Sequence, residues 1–328
     1  SVVFFQFLWF STFKLLSLRG DFVLATSTPL TIGIPALIKK WFHKTPYIFE
    51  TRDIWPEVVI AIGAINNKII HYLLYFLEGL IYKNADAIVP LSVDMKDSIT
   101  SRYPNLDSSA IIVIENLSDI DRFQKGFNKE VSILEKKIGF RPRFTILYAG
   151  TFGRVNGLDY VTKLAAKLIN LDSGIVFVLL GDGSEKKEVI QKAKDIGVLN
   201  KNIFILNSVA KKDLSQLYYE CDMGSSFVIP IKELWANSAN KFFDTLAAGK
   251  PILINHNGWQ KNLIHKKNIG YVLPTIIDNN AVKEFELYTK DKALISTQQI
   301  NGLNVAKRNY ATDIAVKKYN KIFQYIKK

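Results

Sequence analysis

The chain has 328 residues, 48% of them hydrophobic, enough to fill the cores of one large or two ordinary domains, which excludes a disordered or fibrous protein. Its formal charge is +13, and residues 1–126 hold 12 basic and 12 acidic side chains, so the cationic excess lies in the second half and suits anionic partners there. The single cysteine, Cys221, excludes an internal disulfide and a thiolate metal cluster and makes a reducing, cytoplasmic setting the default.

The chain opens on an apolar, aromatic run from Val2 to Phe10, interrupted later by Lys14 and Arg19. At about 18 residues the run approaches the lower limit for a membrane span. It lacks a charged leader and a small-residue cleavage site, so the readings are a buried aromatic helix or an interfacial helix dipping into lipid headgroups, with Ile69–Tyr82 as a second contact. Short apolar runs then alternate with helical periods. Asp21–Ala25, Tyr47–Thr51, Ala87–Leu91 and Ile111–Glu115 read as strands. Between Ser118 and Phe140 the rhythm lapses, which places an inter-domain connection there. A second set of strands follows at Thr145–Tyr148, Ile175–Leu180, Ile203–Leu206, Gly224–Val228, Pro251–Ile254 and Gly270–Val272, with helices such as Leu158–Asn170 and Glu185–Ile196 between them. From Thr297 onward only helix is expected. The pattern predicts an α/β protein of two Rossmann-like, doubly wound domains facing a cleft, residues 1–125 and 140–310, with ligands beyond the carboxyl ends of the strands.

Three kinds of loop stand out. Asn237–Pro251 reads as a polar loop feeding a short helix that Gly249 stops; Asn237 or Asn240 can cap it, its first free N–H groups and Lys241 face an anion, and Asp244 one turn on suits ribose hydroxyls. The same residues also fit an ordinary capped helix. Gly150–Arg154 and Gly181–Gly183 follow two strands, with Gly150, Gly153, Gly181 and Gly183 allowing close backbone approach and Arg154 within reach of a phosphate; plain turn geometry explains them too. In the first half, Glu50-Thr51-Arg52-Asp53-Ile54-Trp55-Pro56-Glu57 places a charged cluster directly after a strand, either a salt-bridged loop or a group that orients an acceptor hydroxyl. His43, His71, His256 and His265 have no metal-ligand spacing and read as surface or packing residues. Nucleic acid is not expected, because the lysines are spread over several helices without an arginine-aromatic pattern.

Taken in order, Thr26–Leu30 with Ile34–Ala36, Glu50–Glu57, Ala85–Val89, Asp121–Phe123, Gly181–Gly183 and Lys241–Pro251 give the sequence its likeness: it resembles the family-4 GT-B glycosyltransferases, in particular the bacterial branch of surface-polysaccharide assembly, over nearly the whole chain. The resemblance implies a retaining transferase that uses a nucleoside-diphosphate sugar, UDP-linked, bound mostly by the second domain. The acceptor, lipid-linked or saccharide, would be held by the first, in capsule, O-antigen or exopolysaccharide synthesis. It implies no cofactor and no metal, since a helix end and cationic side chains stabilise the departing diphosphate. It also implies that residues 311–328 return to the first domain, and that the enzyme works peripherally at the inner face of the cytoplasmic membrane.

On this reading Lys241, with Arg154 as partner, holds the diphosphate, Asn240 and Asp244 join the donor site, Asp53 positions the acceptor or the reacting centre, and Gly150, Gly181 and Gly183 give close approach. Three departures from the family pattern matter. The paired acids would fall on Ala236 and Asp244, so Glu233 stands in for the first; the basic pair of the Gly-rich loop would fall near Thr151 and Asn156; and no strand with a glycine-rich loop precedes Asp21, so the first domain reads as incomplete at its amino end. A nucleotide-sugar epimerase and an inactive sugar-nucleotide-binding subunit are the alternative functions.

Overall fold

The computed structural model describes residues 2–125, 127–130, 132–171 and 173–326. It contains two compact units, one of Ser1–Glu115, Ile231–Ser238 and Ala315–Lys328, the other of Asn116–Pro230 and Ala239–Ile314. The boundary thus falls at residue 115 rather than 125, and a short segment inside the expected second domain belongs to the first unit.

The elements of the first stretch are α1 (Val2–Ser17), β1 (Val23–Thr26), α2 (Gly33–His43), β2 (Tyr47–Thr51), α3 (Glu57–Ala61), α4 (Lys68–Asn84), β3 (Ala87–Pro90) and α5 (Val93–Arg102). In the second unit they are α6 (Ile120–Lys125), α7 (Ile133–Ile138), β4 (Phe144–Ala149), α8 (Leu158–Ile169), β5 (Ile175–Leu180), α9 (Lys186–Asp195), β6 (Ile203–Leu206), α10 (Lys211–Glu220), β7 (Met223–Ser226), α11 (Asn240–Ala247), β8 (Ile252–Ile254), α12 (Trp259–Lys267), β9 (Gly270–Val272), α13 (Asn279–Tyr288) and α14 (Lys292–Val305). The tail is helical as expected, with a π-helical turn at Ala306–Tyr310 and an extended Ala311 between α14 and α15 (Thr312–Ile326).

In the first unit three parallel strands pair in the order β1-β2-β3. Side chains alternate across β2, so Tyr47 and Phe49 pack with Ala36 and Leu37 of α2 and Ile81 of α4, while Ile48 packs on the other face with Ala315 and Ile322 of α15. Asn67 caps α4 by accepting hydrogen bonds from the amides of Ile69 and Ile70. Ile111–Glu115, expected as a strand, is an extended segment tied to β3 by Ile112 N–H to Ile88 O and Ile114 N–H to Pro90 O; only Ile111 forms a bridge, so it lacks a ladder of its own. Among the described residues no helix is long and apolar enough to cross a membrane.

The second unit holds a six-stranded parallel sheet in the order β6-β5-β4-β7-β8-β9. Ile146 and Tyr148 face a core shared with α8, α9 and α13, and Leu147 faces one shared with α6, α7 and α10. The connection expected between Ser118 and Phe140 therefore includes two helices, α6 and α7, whose Phe123, Leu134 and Ile138 are part of that core. α11 forms because Phe242, Phe243, Leu246 and Ala247 recur on one buried stripe, and Gly249, at φ 65°, ends it.

Candidate functional site

The strand order reverses between β4 and β7: β5 and β6 lie beyond one, β8 and β9 beyond the other. Loops leaving the carboxyl ends of these two strands diverge, and an open parallel sheet binds ligands in the crevice between them. Here those loops are Gly150–Gly157 after β4 and the chain after β7 that leads into α11. α11 sits close against β7, where a Cβ at Gly224 would overlap the Thr245 hydroxyl.

Lys241 fills the reversal point. Its ammonium donates to Asn156 Oδ1 at 2.9 Å and lies 4.7 Å from the centre of the Tyr148 ring. Gly150 makes room for it, since a Cβ there would stand 2.9 Å from Lys241 Cε and 3.2 Å from Tyr148 Oη. Ammonium burial without a carboxylate partner pushes the Lys241 pKa down to about 8. Sequence reasoning passed over Tyr148 and named Asn156 only as a departure from the family pattern. Asn156 occupies a position where the family pattern expects a base, and instead of adding charge it orients the lysine.

The start of α11 differs from expectation. Its N-cap is Ala239, which has no side chain to offer, so neither Asn237 nor Asn240 caps the helix. Asn237 instead donates to the Leu234 carbonyl at 2.7 Å. The N-cap residue thus offers no side chain to the first amides of α11, and the helix start carries an ammonium beside it; a helix N-terminus and a cation both favour an anion. Asn240 opens the helix and is exposed.

The glycine loops also act differently. Gly150 N–H donates to Leu180 O, Gly181 N–H to Leu206 O, and Phe152 N–H to Asp182 O, so the loops after β4, β5 and β6 extend the sheet's pairing past its edge. A Cβ at Gly181 would overlap the Gly150 carbonyl oxygen, and one at Gly183 the Phe152 carbonyl. Gly183 donates its own amide to Asp182 Oδ1 at 2.9 Å. Gly181 and Gly183 are therefore required for backbone to approach backbone, Gly150 for the approach of the Lys241 and Tyr148 side chains, and the amides of all three are engaged within the protein. Arg154 is exposed in the turn after Gly153, and its side chain makes no hydrogen bond or ion pair among the described residues.

Asp244 is paired rather than open. Arg122 of α6 donates to its Oδ1 at 3.1 Å, yet burial outweighs that charge and raises the Asp244 pKa to about 6. Arg122 lies in the Asp121–Phe123 motif, and its partner was not legible there. His256, just past β8, is buried; burial above all, with the Lys241 charge adding, pushes its pKa down to about 4, leaving a neutral imidazole whose Nδ1 sits 2.8 Å from Asn257 O. It borders a cavity of about 430 Å³ at the carboxyl ends of β8 and β9.

Asp53 and Glu233 belong to the first unit. Thr28 donates to Asp53 Oδ2 at 2.8 Å, joining the loops that follow β1 and β2, and Arg52 of the same cluster pairs with Glu50. Glu233 lies in a short turn packed near Glu57, and its charge helps raise the Glu57 pKa. The dominant cause there is burial, against which Arg102 pulls the other way: Arg102 serves both Glu57 and the fully buried Glu78, and Glu57 is left titrating at about 7. A carboxyl with a raised folded pKa contributes stability that is complete below its unfolded value of about 4.5 and is lost as pH rises through about 7. Glu57→Gln should remove this component. Urea midpoints measured from pH 5 to 8.5 should fall with pH more steeply for the unaltered protein than for the variant, by at most about 1.4 kcal/mol per pH unit; parallel curves would count against the assignment.

Comparison with known proteins bears on the family and the fold. Spore coat protein SA of Bacillus subtilis (strain 168) is 21% identical over 229 residues, a match spanning 66% of this chain and 59% of that protein's length. The crystal structure of Anabaena HepE with UDP and glucose superposes with a TM-score of 0.74 at 14% identity, covering 98% of this chain and 81% of HepE. WaaG, a glycosyltransferase involved in lipopolysaccharide biosynthesis, superposes with a TM-score of 0.68 at 14% identity, covering 97% and 95% of the two chains. At such identities the likeness to solved structures concerns the fold. The family model "Glycosyl transferases group 1" matches residues 132–302, which include the loops after β4 and β5, Lys241 and Asp244. That match spans just over half of the chain, and the protein therefore belongs to the group 1 glycosyl transferases.

Proposed function

We propose that the protein transfers a glycosyl group from a UDP-sugar to a hydroxyl of a lipid-linked or saccharide acceptor, with retention at the anomeric carbon, in assembly of a bacterial surface polysaccharide at the inner face of the cytoplasmic membrane. One observation carries the reading: a partly desolvated lysine stands in the first turn of α11, at the reversal point of the parallel sheet. Family membership supports glycosyl transfer, and the UDP found in HepE supports the choice of nucleotide. In the reaction the bond from the anomeric carbon to the diphosphate oxygen breaks and the acceptor oxygen bonds to that carbon. The acceptor proton leaves with the diphosphate. Lys241 and the α11 amides meet the charge that grows on the leaving group, with Arg154 able to swing in from solvent. The family's first acid has no counterpart at Ala236, so Glu233 takes the sugar-facing role, Asp244 the ribose, and Asp53 the acceptor side. No metal or cofactor is assigned a step. Incubation with UDP-sugars and an undecaprenyl-linked acceptor, with the product's anomeric configuration read by NMR, tests the proposal; inversion, or release of an isomerised sugar without an acceptor, would refute it.

Titration of Lys241 gives a second test. Below about pH 8 the lysine is charged and attracts the diphosphate; above it the free protein's lysine is neutral, so UDP binding must take up a proton. UDP itself is fully ionised throughout, its terminal phosphate titrating near 6. The dissociation constant should therefore rise above pH 8, approaching tenfold per pH unit. Calorimetry in buffers of different ionisation enthalpy should register the proton uptake. Lys241→Arg should flatten the profile, and an unchanged break in that variant would assign the titration elsewhere.

A further inference from the structure

We infer that a cavity where α12 meets the end of α14, within the second unit, is a binding site for a small soluble phosphorylated anion. The cavity holds about 190 Å³ and is lined by Lys267, Asn301, Asn304, Val305, Arg308 and Asn309. Two of these side chains are cationic, three are carboxamides and none is acidic. The site is distinct from Lys241 and its loops. Lys267 ends α12, which leaves the carboxyl end of β8 and returns to the amino end of β9, so the cavity lies at the amino edge of the sheet, whereas Lys241 follows the carboxyl end of β7. The π-helical turn gives the cavity its outer wall: its wide winding sets Lys307, Arg308 and Asn309 outward in succession between buried Ala306 and Tyr310. Asn301 fixes the junction of the two helices by donating to the Asn268 carbonyl at 3.1 Å.

Charge and volume select the occupant. α12, α14 and the π-helical turn carry Lys261, Lys266, Lys267, Lys292, Lys307 and Arg308 without one Asp or Glu. Elsewhere in the unit exposed lysines find carboxylates on their own helix, as Lys125 does with Asp121, Lys163 with Asp159 and Lys290 with Glu286. Here they do not: the side chains of Lys267, Arg308, Asn304 and Asn309 make no ion pair or hydrogen bond among the described residues. Cations held around one hollow repel each other, and a bound anion turns that repulsion into attraction. A phosphate group brings close to two negative charges and three strong acceptor oxygens, of which a guanidinium can meet two at once while carboxamides donate to the third. The cavity has the volume of roughly six water molecules. That is small for a nucleotide sugar and sufficient for a phosphate with a short organic group. Because neither the cavity nor its charges are used in the proposed transfer reaction, the inference stands whether or not that reaction is correct.

The test is calorimetric titration of the full chain with inorganic phosphate at constant ionic strength, at about pH 7.5, where phosphate is mostly dianionic. Saturable binding is expected, and it should persist in Lys241→Ala, which removes the lysine of the donor site. Lys267→Gln with Arg308→Gln should weaken it at least tenfold. Lys292→Gln with Lys307→Gln removes the same charge from outside the cavity lining and should change it by less than twofold. All four of these positions are exposed, and an unchanged circular dichroism melt confirms that the variants fold. Equal weakening in the two paired variants would assign the binding to diffuse charge, and its loss in Lys241→Ala would assign it to the donor site; either result would overturn the inference. So would the lack of saturable binding up to about 10 mM phosphate, an affinity too weak for a built site.

Discussion

Lys241→Ala should lower turnover from a UDP-sugar by about two to three orders of magnitude, the range for losing one group aimed at charge that develops in the transition state. Three features argue for so large an effect. The ammonium is partly desolvated, so its field is less screened than that of a surface lysine; it is held by Asn156 and the Tyr148 ring rather than free to rotate; and the start of α11 adds donors to the same point. The loss should fall mainly on kcat, because the diphosphate carries more charge as it departs than in the bound donor. Stability should not fall with it. Burial disfavours the charged form of Lys241, so its removal relieves a cost, and the melting temperature of the variant should be equal or higher. A drop of less than tenfold, with the fold intact, would mean that the diphosphate is met elsewhere. Arg154, exposed in the neighbouring turn, is the first place to look, and the double variant would settle it.

The strands were legible in the sequence because each is a short apolar run bounded by turn residues: Tyr47–Thr51, Ile175–Leu180 and Ile203–Leu206 match their expected limits. Ile111–Glu115 has the same composition but only one neighbour, β3, and forms no ladder beyond a single bridge. The short helix that carries Lys241 and its stop at Gly249 were also readable, since both depend on residue type at a local position. Caps and partners were not. Whether Asn237 or Asn240 turns its amide onto the helix depends on backbone angles set by the packing of Ala236 and Leu234, and the Leu234 carbonyl claims Asn237 first. Asp244 meets Arg122 across 122 positions of sequence, and Lys241 meets Asn156 across 85; such pairs follow from the sheet order, which local periodicity does not encode. The glycines also have a role that spacing did not show. Their spacing suggested room for a ligand; at Gly181 and Gly183 neighbouring backbone fills the space, and at Gly150 the Lys241 and Tyr148 side chains do.

That difference can be measured. Gly181→Ala is expected to destabilise the protein by about 3 kcal/mol or more, combining the overlap of a new Cβ with an unyielding backbone carbonyl and the strain of a side chain at a positive φ. Gly181 has φ 147°, and the atom in its way is the Gly150 carbonyl oxygen, which cannot rotate aside as a side chain could. At roughly 2–4 °C per kcal/mol for a unit of this size, the melting temperature should drop by about 6–12 °C. Because the displaced strand-to-helix loop carries Gly150, and Gly150 leaves the space that Lys241 occupies, UDP affinity should fall as well. Gly153→Ala supplies the contrast. A Cβ there would meet nothing closer than Asn156 Nδ2 at 3.5 Å, with φ at an ordinary −113°, so its melting temperature should move by less than about 0.5 kcal/mol equivalent. If Gly181→Ala melted normally and lost only UDP affinity, the glycine would be serving the ligand directly, and the stitched loops would be incidental to it. If both variants melted normally and bound UDP normally, the reversal point would tolerate movement, and the close fit of Lys241 against Gly150 could not be what orients the diphosphate.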